Sequence, residues 1–406
     1  MGYTKDALKG FSWSTGLRIF TRVFAFVKTA ILARMFGPLE FGILGISTLV
    51  LSLIEIVTET GINVFLVQEK DDIDKFIDTA WIISILRGFI IASLIFMSAP
   101  LISAFFNSSR SYSLIVLISI VPIIRGFINP SVVRFQKDLQ FNKEFYYRSV
   151  IFLIDFAISI TLSFYTRNVS SIIWGMIAGA IIEVALSFYI VKPTPLLRFK
   201  KDLAKYIVHR GKWITLAGLL NYLFCNVDNM VVGRILGTAS LGLYQTAYKI
   251  SMIPISEISD VVAKVTFPVF VKISGDKDRL QKAFLKSGGV VMVIILFIGL
   301  VFTLFSKEII MIILGDKWLG SLRVFQILTV AGVVRGISGY SASLFLSVKK
   351  QEYVTLVLLT SVLVLAFSII PLVYKFGLTG VGISVVFASL ISTPFFIFYT
   401  IKVLKN

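Results

Sequence analysis

Fourteen charged side chains fall where the sequence is otherwise apolar: Arg18, Arg22, Lys28, Arg87, Arg125, Lys249 and Arg335 against Glu55, Glu59, Asp155, Glu183, Asp228, Glu257 and Asp260. A charge away from bulk water is costly unless it faces a partner or a water-filled space, so each is a candidate for function. One chemistry open to them is mutual neutralisation, for which Arg22 and Glu55 stand at matching depths of neighbouring antiparallel helices. The other is reception of an anion. Arg18 and Arg22 are one i, i+4 step apart on one helix face, and a guanidinium makes paired hydrogen bonds to phosphate and stays charged when partly desolvated. Arg18, Arg22, Arg87, Arg125, Lys249 and Arg335 form the candidate substrate-binding set. Asp228 and Glu55 are the candidate ion-coupling carboxylates, suited to Na+ or a proton, or to a salt bridge with a neighbour. The sequence has no G-x-x-x-x-G-K-[ST] loop, so ATP hydrolysis is not indicated. One cysteine, Cys225, and one histidine, His209, give no disulfide and no metal-ligand cluster, and no metal or resident cofactor is expected.

The elements that must hold these charges are membrane helices. With 57% hydrophobic and 15% charged residues over 406 positions, a water-soluble fold would expose far too much apolar surface. Windows of about 20 mostly apolar residues, enough to cross a bilayer, fall near 11–35, 42–67, 79–105, 112–133, 147–166, 170–191, 208–233, 240–270, 284–305, 320–347, 354–374 and 380–401, about twelve in all. "GGVVMVIILFIGLVFTLF" is continuously apolar, unlike the alternating strands of a membrane barrel. The first window lacks a signal cleavage site and reads as a polar-faced membrane helix. The net charge of +18 is sorted by loop: one side of the membrane receives 25 of the 40 Lys and Arg residues and the other 8, the rest lying within helices. That sorting argues against a nucleic-acid partner and puts both termini in the cytoplasm of a multi-pass protein of the cytoplasmic (inner) membrane.

A shift of 200 aligns Trp13/Trp213, Thr15/Thr215, Phe24/Phe224, Val27/Val227, Arg34/Arg234, Gly37/Gly237 and Gly42/Gly242, and a shift of 210 aligns Arg125-Gly126 with Arg335-Gly336. The fold expected is all-α, two six-helix lobes related by a pseudo-twofold axis along the membrane normal. The lobes are 1–191 and 208–406, joined by a cytoplasmic linker at 192–207. That linker, with its prolines and bases, reads equally as a surface-lying segment or a flexible tether. Equivalent arginines 125 and 335 would then line a central cleft, while Asp228 replaces Lys28 across the repeat.

"VDNMVVGRILGTASLGLYQTAYKI", together with "RFQKDLQF" and the "GPLEFG" turn, resembles the polysaccharide transporters of the multidrug/oligosaccharidyl-lipid/polysaccharide exporter superfamily. The resemblance covers most of the chain. It implies a flippase, not an enzyme, that moves a polyprenyl-(di)phosphate-linked oligosaccharide across the membrane by alternating access, for surface polysaccharide export. It also implies membrane lipids, the glycan carrier and polysaccharide assembly proteins as partners, with Na+ or H+ coupling at a carboxylate. A drug or organic-cation exporter of the same superfamily is the rival reading, which the arginine set disfavours. A membrane glycosyl-transferring or polymerising enzyme is weaker still, because the outer loops are short.

Overall fold

The structure, a computed structural model, describes residues 2–58, 62, 66–67 and 73–405, without side chains at 2–11, 206–217, 220–221 and 224. Glu59 and the side chains of His209, Trp213, Thr215 and Phe224 therefore lie outside the described residues. Among the described residues every regular element is helical. They are α1 (Gly2–Met35), α2 (Pro38–Val57), α3 (Asp74–Phe105), α4 (Ser111–Ile118), α5 (Ile120–Gly126), α6 (Arg134–Lys137), α7 (Phe141–Thr166), α8 (Ser170–Ile190), α9 (Lys201–Val231), α10 (Thr238–Ile273), α11 (Lys277–Leu304), α12 (Ser306–Ile313), α13 (Leu322–Ser347), α14 (Gln351–Phe376) and α15 (Leu378–Lys405).

Helix makes up most of the described part of each expected window, with breaks at Ser119 and 127–129 in the fourth, yet twelve crossings are not established. Among the described residues eight helices are long and apolar enough to span a bilayer, or nine if the bent pair 111–126 and 130–137 counts as one. The other three long helices, α1, α9 and α10, run 34, 31 and 36 residues. Charges inside them lower their hydropathy: Arg18, Arg22 and Lys28 in α1, and Lys249, Glu257, Asp260 and Lys264 in α10.

The fourth window is broken, with a bend of 78° between its two parts. Pro130 disfavours the helical conformation in the residue before it, and Asn129 is accordingly extended, at φ −64° and ψ 116°. The Asn129 side chain accepts the Ser131 N–H at 2.9 Å and restarts the chain as a 3-10 turn. The two glycine turns of the repeat differ in backbone. Gly37 donates its N–H to Glu40 Oε2 at 2.9 Å ahead of Pro38, which sits at the first helical position. Gly237 has φ 86°, a conformation that favours glycine, and follows a π-helical stretch, Val232–Leu236.

The chain divides into two compact units, Met1–Asn226 and Val227–Asn406, with the division inside α9. The residues after α8 are tied to the first unit. The Leu196 N–H donates to Asp78 Oδ1 at 2.8 Å and the Lys200 N–H to Thr79 Oγ1 at 3.3 Å. Leu203 and Ala204 pack on a core of Ile73, Phe76, Ile77 and Ala80. In the same unit α1 meets α7 through rings, Trp13 against Phe145 and Tyr146, and Phe24 against Phe156. Small residues let α7 and α8 touch, as is usual where lipid gives no hydrophobic drive; Ser163 and Ser171 hydroxyls are 2.5 Å apart. In the second unit Ser259 on α10 donates to the Gly336 carbonyl of α13 at 2.7 Å.

Candidate functional site

In the N-terminal unit a cavity of about 380 Å³ opens among α2, α3, α5, the bend, α7 and α8. Close backbone packing shapes one wall. A Cβ on Gly88 would stand 2.5 Å from the Pro122 carbonyl oxygen, and one on Gly126 2.9 Å from that of Ser84. With no side chain at either position, α3 and α5 come together, and the neighbouring residues Arg87 and Arg125 both line the cavity.

Arg87 Nη2 donates to the Glu55 carbonyl at 2.7 Å. Arg125 bridges two carboxylates, its Nε 3.5 Å from Glu183 Oε2 and its Nη1 3.9 Å from Glu55 Oε1. Tyr147 donates to the Glu183 carbonyl at 3.1 Å. Glu144 Oε1 accepts from both Arg148 Nε, at 2.9 Å, and Gln136 Nε2, at 3.0 Å. Three arginines and three glutamates thus face one another around the space. The wall can hydrogen-bond a polar ligand all round, and its described residues carry equal numbers of Arg and Glu charges.

Of the residues singled out from the sequence, Arg87, Arg125, Glu55 and Glu183 are brought together here. Lys28 is closed off elsewhere, its Nζ 2.8 and 2.9 Å from the two oxygens of Asp155. Arg18 is half-buried and Arg22 exposed on α1, and neither lines this cavity.

The other candidates belong to the second unit. Asp228 is buried, with 6% of its surface exposed. Tyr244 donates to its Oδ2 at 2.7 Å, and the Asn229 backbone and side-chain amides donate to its Oδ1 at 2.8 and 3.3 Å. Arg335 lies within electrostatic reach of this carboxylate and donates from Nε to Ser389 Oγ at 3.1 Å. Lys249 is exposed on α10. The repeat-related pair is therefore dressed differently: Arg125 sits between two glutamates at the end of a broken span, and Arg335 beside a hydroxyl in the middle of an unbroken helix.

Arg148, Glu144, Gln136 and Tyr147 line the cavity without having been singled out. Charge sorting assigns Arg148 to the cytoplasmic bases, because it falls at the margin of its window. The i, i+4 spacing of Glu144 and Arg148 was the signal available.

Residues 31–323 match the family model described as polysaccharide biosynthesis protein. The chain belongs to that family. All the lining residues of the cavity, and Asp228, fall inside the matched stretch. An "uncharacterized membrane protein in cps region" of Klebsiella pneumoniae is 27% identical over 357 residues, 87% of this chain and 73% of that one. The lipopolysaccharide biosynthesis protein WzxC of Escherichia coli (strain K12) is 24% identical over 86% of this chain and 71% of its own. The teichuronic acid biosynthesis protein TuaB of Bacillus subtilis (strain 168) is 26% identical over 85% and 72%. Among solved structures, lipid II flippase MurJ in an inward closed conformation superposes with a TM-score of 0.75 at 17% identity, over 97% of this chain and 89% of that one. An inward-facing multidrug resistance MATE family transporter gives 0.70 at 14% identity, over 95% and 94%. This polysaccharide biosynthesis protein thus has the all-helical transporter fold common to both, and the fold by itself does not choose between them.

Proposed function

We propose that the protein is a flippase that carries an oligosaccharide on a polyprenyl phosphate or diphosphate across the cytoplasmic membrane for surface polysaccharide export. The observation that carries this reading is the family match over 31–323, which favours a glycan-handling member over the drug exporters that share the fold. The cavity supports it. Arg125 is held at 3.5 and 3.9 Å by its two glutamates, beyond the usual length of a charge-assisted hydrogen bond. An arriving anionic group can replace such contacts without dismantling the fold. A transport cycle of this kind breaks no bond, so an enzymatic role is not part of the reading.

The remaining features of the proposal follow from the sequence. Both termini face the cytoplasm, and the lobes 1–191 and 208–406, joined through 192–207, rock about the substrate. Arg18, Arg22, Lys249 and Arg335 join Arg87 and Arg125 in contacting it. Asp228 and Glu55 are the groups through which Na+ or H+ coupling acts, and the polysaccharide assembly proteins receive the product.

The test is genetic and chemical together. Cells lacking the protein should accumulate lipid-linked glycan on the cytoplasmic leaflet and lose the surface polymer, and re-expression should restore both. Unchanged glycan export, with new sensitivity to cationic drugs, would transfer the protein to the exporter class.

A further inference from the structure

We propose that Arg148 is the group in the N-terminal cavity that receives an acidic oxygen of the substrate, with Glu144 and Gln136 as positioning residues that aim it. The proposal deepens the flippase reading and rests on it.

The three cavity arginines are not equivalent. Arg125 engages two carboxylates, and Arg87 is turned onto the Glu55 carbonyl. Arg148 is bonded through Nε alone, to Glu144 Oε1 at 2.9 Å, and its side chain is 51% exposed. Arg148 lines the cavity, and among the described residues its terminal nitrogens have no hydrogen-bond partner. That arrangement fixes the guanidinium plane at one edge and leaves the other edge open. Two parallel N–H donors on an open edge match a phosphate or a carboxylate.

Glu144 is itself restrained. Its side chain is 12% exposed and the same oxygen accepts Gln136 Nε2 at 3.0 Å. Gln136 belongs to α6, just beyond the bend, and Glu144 and Arg148 belong to the first turns of α7. The chain Gln136, Glu144, Arg148 therefore ties the restart of the broken span to the orientation of one cation. An arginine restrained before its ligand arrives loses less rotamer freedom on binding. Arg148 lies near the start of α7, the end that charge sorting assigns to the cytoplasm, where a substrate made inside the cell would enter.

Two sources supply such an oxygen: the phosphate of the carrier lipid, and the carboxylate of an acidic sugar. Calorimetric titration of the full-length protein in phosphatidylcholine nanodiscs separates them, using inorganic diphosphate and D-glucuronate as probes and D-galactose as the neutral control. Saturable binding of one acidic probe is expected, weakened at least about tenfold by Arg148→Ala and partly restored by Arg148→Lys. The probe affected identifies the source. Glu144→Ala and Gln136→Ala should weaken binding less, and only while Arg148 is present, because a positioning residue has no effect once the group it aims is gone. The proposal is overturned if Arg148→Ala, with unchanged thermal stability, binds the acidic probes as the parent protein does. It is overturned equally if the parent protein binds neither. These titrations do not depend on transport, so an intact site in a protein whose loss leaves glycan export normal would fail the flippase reading alone.

Discussion

Lys28 Nζ touches both carboxylate oxygens of Asp155, at 2.8 and 2.9 Å, with only 13% and 18% of the two side chains exposed. Arg125 stands 3.5 and 3.9 Å from its glutamates and is 43% exposed. One pair is closed and belongs to the architecture; the other cation is open to exchange partners. Distance and exposure thus sort the buried charges into two kinds that the sequence presents as one.

The closed pair should behave as a structural unit. Lys28→Met or Asp155→Asn alone leaves a charge in a poorly hydrated place and should cost about 3–5 kcal/mol, seen as lower abundance and earlier thermal unfolding in detergent. Lys28→Met combined with Asp155→Leu should recover most of the loss. A double variant no more stable than the worse single one would show that the pair has a role besides neutralisation.

Arg125→Ala and Arg335→Ala should each impair glycan export without removing protein from the membrane, and Arg→Lys should rescue only in part because the fork is lost. The different surroundings refine the expectation. Arg125→Ala leaves Glu55 and Glu183 facing the cavity without the guanidinium between them, so its defect should be eased by Glu183→Gln. Arg335→Ala removes a positive neighbour of Asp228 and should also alter whatever ion dependence transport has. Normal export by either alanine variant at normal abundance would make that residue idle in transport.

The helices were legible because long apolar runs leave few alternatives to membrane spans. Their number was less so, since the charges that make α1, α9 and α10 candidates for function are the ones that lower their hydropathy. The break at 126–130 was hidden for a similar reason: Asn129 and Pro130 occupy one short gap in an apolar window, and only the Asn129 contacts show that the gap turns the chain by 78°. For the site, Arg87, Arg125, Glu55 and Glu183 were readable from the cost of a charge amid apolar sequence. Arg148 and Glu144 were not, because a charge at a window's margin looks like a loop residue until the fold brings it into the cavity wall beside Gln136.

Orientation is testable by labelling. In a Cys225→Ala background, cysteines placed at Lys200 and Lys350 should resist impermeant thiol reagents in intact cells, while one at Arg110 should react. All three native side chains are exposed, so accessibility to reagent is limited by the membrane and not by burial. The Lys200 backbone is tied to Thr79, which leaves its side chain free for replacement. Reaction at Lys200 from outside would reverse the topology.

Driving force gives the last prediction. An anionic carrier lipid moving outward leaves a negative interior, and each unit of negative charge carried gains about 2.3 kcal/mol per 100 mV before any ion is coupled. Bases of the cavity would cancel that gain only by travelling with the substrate, whereas rocking lobes displace them little. Transport of a native anionic glycolipid in proteoliposomes should therefore quicken when the donor side is made negative. Ion coupling, if carried by Asp228, is separable from this. Asp228→Asn keeps the size of the side chain and the means to satisfy its neighbours: the amide oxygen accepts from Asn229, and the amide nitrogen donates to the Tyr244 hydroxyl, which accepts as well as it donates. The buried site should stay folded while losing its charge. The variant should thus lose any dependence on a Na+ or pH gradient and keep the response to voltage. Transport indifferent to voltage in both proteins removes the electrogenic step, and an unchanged ion dependence in Asp228→Asn removes Asp228 from the coupling.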